Sequence, residues 1–101
     1  KYEEAEPKLR TALQQFEAIF EPDSMMMNRA RVQLAICLTH EQAFDEAKRL
    51  LDDAYKSVSN TEKPDSDILK QIIDAHVKLF EESKRPEDAA IWKAKRDATG
   101  A

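Results

Sequence analysis

Two histidines, one cysteine and 20 acids are the residues of this 101-residue chain best suited to chemistry. His40 and His76 could ligate a metal or move protons, Cys37 could attack as a thiolate, and paired carboxylates could act as acid and base. Their spacing speaks against each of these. The histidines stand 36 residues apart, with Glu41 or Asp45 near the first and Glu81 or Glu82 near the second. In so acidic a chain such pairs arise by chance, and a third ligand is missing, so no metal is expected. Cys37 has no base beside it in sequence and reads as helix filler. No nucleophile, base and orienting group assemble, so the chain reads as a non-enzyme without a cofactor.

The elements that must position these residues are helices. Charged residues make up 36% and hydrophobic ones 42%, a balance that predicts a folded domain rather than a disordered one. One glycine and four prolines leave little material for hairpin turns. A net charge of −4 excludes a basic face for nucleic acid. No apolar run has the length of a membrane span. A single cysteine rules out an internal disulfide and points to a reducing compartment, so the cytoplasm is the expected location. The chain begins inside a patterned segment, KYEEAE, as a piece of a longer polypeptide would.

Leu9, Leu13, Phe16 and Phe20 recur at helical spacing, with Pro7 expected near the first turn. Pro22 ends that helix, and Asp23 or Ser24 offers an N-cap for a second over 25–40. Its stripe is Leu34, Ala35 and Leu38, preceded by Met27, Ala30 and Arg31. The run Met25–Met27 reads as adaptable packing, with an exposed interface patch as the alternative. A third helix, 44–59, buries Phe44, Ala47, Leu50, Leu51, Ala54, Tyr55 and Val58. SNTEKPDS is a loop, and Asp65 or Ser66 caps a fourth helix carrying Leu69, Ile72, Ile73, Val77 and Phe80. Pro86 opens a fifth, anchored by Trp92 and ending near Gly100. No segment alternates with period two. The fold class is all-α.

One pattern returns at a fixed interval. Ala5, Ala47 and Ala89 are spaced by 42 residues, as are Tyr2, Phe44 and Pro86. Ala12 and Ala54 follow two turns later, with Leu9 and Leu51 between. Small residues two turns apart let a neighbouring helix approach closely. These residues, with Leu34-Ala35 and Leu38 upstream and His76-Val77 and Phe80 in the next unit, resemble the tetratricopeptide repeat family. The usual repeat is about 34 residues, and the longer interval here is similar to the kinesin-light-chain variant. The resemblance implies stacked antiparallel helix hairpins: a half repeat over 1–22, a full repeat over 23–63 and a degenerate last repeat over 64–101. HEAT-like or generic hairpins are the alternative. Two departures stand out: Gln42 and Lys84 replace the small turn residue, and Lys93 and Arg96 occupy apolar positions.

What the resemblance implies for function is a scaffold that binds a protein or peptide in a groove lined by the first helix of each repeat. Carried over in register, the groove residues are Arg29, Val32, Ile36, Thr39 and His40, then Gln71, Asp74, Lys78, Glu81 and Glu82. The basic clamp that some relatives use for C-terminal carboxylates is not visible. The segment Ala89, Ala90, Trp92, Lys93, Lys95 is also similar to the ends of repeat arrays fused behind bacterial serine/threonine kinases, which implies a signalling context. The competing expectation is self-association through the exposed face of the first helix, giving a homo-oligomer.

Overall fold

The computed structural model describes residues 2–61 and 63–100. The chain ends at Lys1 and Ala101, and Glu62 in the expected loop, lie outside the described residues. Among the described residues there are five helices and no strand: α1 (Tyr2–Ile19), α2 (Met25–His40), α3 (Phe44–Ser59), α4 (Ser66–Glu82) and α5 (Pro86–Gly100). Ser24 caps α2 by accepting from the Met27 amide at 3.2 Å. Asp65 caps α4, accepting from the amides of Asp67 and Ile68. These side chains satisfy amides that have no partner inside the helix.

Pro7 departs from expectation. It lies inside α1, a full turn beyond the helix start. It has no N–H to give the Glu3 carbonyl, a local loss that a helix interior ordinarily resists. The turn before it is held from outside. Tyr2 stacks on His40 at 4.2 Å, and Glu6 pairs with Arg10, whose guanidinium also grips Glu46 of α3 at 2.6 and 2.8 Å.

The helices pack α1 on α2, α2 on α3, α3 on α4 and α4 on α5, with α2 also against α4. The body measures 35 × 34 × 19 Å, its thin dimension close to two helix diameters of about 10 Å. The core gathers Leu34, Leu38, Leu51, Val58, Ile72 and Leu79, and the expected notches Ala47 and Ala54 are fully buried. Met27 is buried, Met25 packs on the core and Met26 is exposed, so the methionine run divides between packing and surface.

Two hairpins, α2–α3 and α4–α5, close with the same hydrogen bonds 42 residues apart. In the first, the Ala43 amide donates to Leu38 O at 2.8 Å and Gln42 to Thr39 O at 3.1 Å. In the second, Arg85 donates to Phe80 O at 2.8 Å and Lys84 to Glu81 O at 3.2 Å. This pairing is the Schellman helix stop, whose turning residue must be left-handed. Gln42 has φ 67° and Lys84 φ 62°. That region disfavours any residue with a Cβ by about 1–2 kcal/mol, which gives the physical reason a small residue belongs there. Gln42→Gly and Lys84→Gly are each expected to stabilise the fold by about 1 kcal/mol, after the greater freedom of glycine in the unfolded chain is subtracted. Urea unfolding of the single variants checks this; a loss of stability in either would show that its turn is not left-handed.

Candidate functional site

The site is built from two helix faces. On α2, Arg29, Gln33, Ile36 and His40 follow one another at steps of four, three and four, and all are exposed. The same register on α4 gives Gln71, Ala75, Lys78 and Glu82, of which all but Ala75 are exposed. Such spacing sets each quartet on one side of its helix. The two helices pack against each other, so the stripes lie side by side.

At one end of this face a pocket of about 230 Å³ opens between Ile36, Thr39 and His40 of α2, Ala75, Lys78 and Glu82 of α4, and Tyr2 of α1. Ile36 is 37% exposed on its wall. Tyr2 and His40 form an aromatic side with ring centroids 4.2 Å apart. Lys78 and Glu82 make a loose ion pair of 3.5 Å on the opposite rim, the kind worth only tenths of a kcal/mol. Thr39 spends its hydroxyl proton on Ala35 O at 2.8 Å, leaving that oxygen able only to accept. The result is an apolar floor, one aromatic wall and one charged edge. It suits a single bulky side chain with a polar group at its margin.

Five of the ten sequence-derived groove residues therefore meet at the pocket: Ile36, Thr39, His40, Lys78 and Glu82. Arg29 and Gln71 lie on the same stripes, farther along their helices. Val32 is only 1% exposed and belongs to the core, and Gln33 holds its place on the open face. Asp74 and Glu81 turn instead toward α5, where they pair with Arg96 at 3.5 Å and Lys93 at 3.0 Å. Those two pairs explain the second departure noted above. The first hairpin has Val32 and Thr39 opposite the register of Ala54 and Leu51, all buried. The second has Asp74, Glu81, Arg96 and Lys93 at the same four positions, so apolar contact is exchanged for charge pairing. Tyr2 and Ala75 were not foreseen as lining; Ala75 lies three residues before Lys78, which was the available signal.

The residues with catalytic potential are placed otherwise. Burial pushes the Cys37 thiol up, and the nearby charges of Glu41 and Glu6 push it further. It is held as a neutral, unreactive group. His76 is fully buried, stacked on Trp92 at 3.7 Å, with Asp52 at 3.1 Å from Nε2. Among the described residues no serine, threonine or cysteine side chain is hydrogen-bonded to a histidine or carboxylate. Nor does any cluster of three or more metal-ligating side chains form among them. Among the described residues no helix is long and apolar enough to cross a membrane.

Comparison with protein-family models, curated proteins and solved structures finds no match.

Proposed function

We propose that this protein is a non-catalytic interaction module of the tetratricopeptide type, taking a peptide or a partner helix along the α2–α4 face. The carrying observation is the pocket walled by Ile36, an exposed isoleucine beside the Tyr2–His40 stack. One apolar side chain of the ligand enters it and the remainder runs over Gln33, Arg29 and Gln71. A surface that hides one bulky anchor and surrounds it with polar groups is how helix-in-groove and extended-peptide recognition concentrate binding energy. The single buried thiol favours a reducing cytoplasm, and a C-terminal segment similar to the ends of repeat arrays fused behind kinases favours a signalling context.

Ile36→Glu tests the reading, because the residue is exposed on the pocket wall and lies outside the buried core. Peptides selected from a random displayed library should lose at least about tenfold in affinity for this variant, or about 1.4 kcal/mol. Gln14→Glu on α1, exposed and away from the face, should leave them unaffected. Equal affinity for Ile36→Glu and the parent would remove the pocket from the account.

A further inference from the structure

We infer that the α2–α4 pocket takes a basic peptide, whose arginine lies against the Tyr2–His40 wall and pairs with Glu82 beside the apolar anchor. This rests on the peptide-binding reading of that face and adds the sign of the ligand's charge.

The helix ends set that sign. Thr39 and His40 stand in the last turn of α2 and Glu82 in the last turn of α4, and all three line the pocket. A helix C-terminus carries about half a negative charge, which bases in the last turn ordinarily offset. Here α4 ends on Glu81 and Glu82 with no base in its last turn, and Glu41 caps α2 beside His40. Both helices thus place an acid where it costs stability. Glu81 is met by Lys93 of α5. Among the described residues Glu82 has only Lys78, at 3.5 Å, with the lysine preceding the acid, the weaker order for such a pair. The field reaches one turn back to Cys37, whose thiol is pushed up by burial and further by Glu41 and Glu6.

A second feature is independent of these charges. Thr39 is only 4% exposed, yet it lines the pocket. Its proton goes to Ala35 O, and no described group donates to its oxygen. A buried acceptor left open calls for a donor. The planar guanidinium supplies donors for both Thr39 Oγ1 and Glu82, and its flat face stacks on an aromatic ring as an ammonium does not. Tyr2, 41% exposed, offers that ring. Arg29 stands farther along the same face, so the ligand's cation belongs at the Glu82 end.

The probe is the set of peptides selected on the parent from a random displayed library. Arginine should be enriched beside the apolar residue, and acids depleted there. Replacing that arginine with citrulline, which keeps the shape and loses the charge, should weaken binding about fivefold. Glu82→Gln should cost the arginine peptide the same factor and leave the citrulline peptide unchanged. Lys78→Gln should tighten the arginine peptide, because it removes the competing ammonium. Both residues are exposed and lie outside the buried core. A selection without arginine, or equal affinity of the arginine and citrulline peptides, would overturn the inference. If Ile36→Glu still releases those peptides, the pocket stands and only the sign assigned to its ligand falls.

Discussion

His76→Ala is expected to destabilise the protein by about 3 kcal/mol, the scale for emptying a fully buried ring site, and to loosen α5 first. The ring is 0% exposed and lies face to face on Trp92, 3.7 Å away and tilted by 10°. Phe80 stands at 6.1 Å on the same helix. The Ile72 carbonyl, 3.1 Å from Nδ1, and the Asp52 carboxylate, 3.1 Å from Nε2, can both only accept, so the neutral ring with its single N–H donates to one of them at a time. Asp52 is itself held by Lys48 at 2.8 Å.

Burial pulls the His76 pKa below its ordinary value; Asp52 and the Ile72 carbonyl pull back only part of that, and Lys48 assists the burial. The unfolded chain therefore binds this proton more readily than the folded one. Stability is complete above the ordinary imidazole value of about 6.5 and declines as pH falls from there toward the lowered folded value. Asp52 and Glu46, both held below the usual carboxylate range, lose their contribution in a separate, more acidic window. Their opposing causes differ: burial raises Asp52 while Lys48 and His76 lower it, and Arg10 leads for Glu46. The single tryptophan reports on the first step. Urea midpoints followed by Trp92 fluorescence should fall between pH 7.5 and 5.5, and His76→Phe should abolish that slope. A midpoint that rises on acidification would mean the imidazolium is the form the fold prefers.

Leu51→Lys should be more damaging still. Leu51 is 0% exposed in the core between α2, α3 and α4. Its counterpart 42 residues later is Lys93, whose side chain is 46% exposed and meets Glu81. The same residue type is thus harmless on α5 and ruinous on α3. Truncation to alanine costs about 3 kcal/mol, and an unpaired buried ammonium adds several more. A domain of this size has about 5–15 kcal/mol in all, so Leu51→Lys should leave little helical signal by circular dichroism at 37 °C. A variant that melts within a few degrees of the parent would show that Leu51 can reach water.

The helix limits were readable because their punctuation is local. Pro22, Pro64 and Pro86 break the chain, Ser24 and Asp65 cap it, and α2 and α3 span the residues their apolar stripes predict. Pro7 was not readable, since what carries α1 past it is a ring of α2 and a carboxylate of α3, both distant in sequence. The proposed face was half readable. Five of its residues came from register alone, but Val32 and Gln33 are adjacent, and which of them points outward depends on where α3 crosses α2. The charge pairs of the last hairpin left a trace that only a residue-by-residue comparison at 42 uncovers: Val32 becomes Asp74 as Ala54 becomes Arg96.

Equivalence of the two hairpins underlies the face proposed for this protein, and one exchange tests it. Asp74→Val, Glu81→Thr, Lys93→Leu and Arg96→Ala together rebuild the contact of the first hairpin inside the second. Two exposed ion pairs are lost, each worth about 0–1 kcal/mol, and apolar burial between α4 and α5 replaces them. The measurement is the urea unfolding free energy of the fourfold variant. A gain of about 1 kcal/mol or more, with native-like spectra, is the predicted result; a loss of that size would show that these four positions do not correspond and that the hairpins are different units.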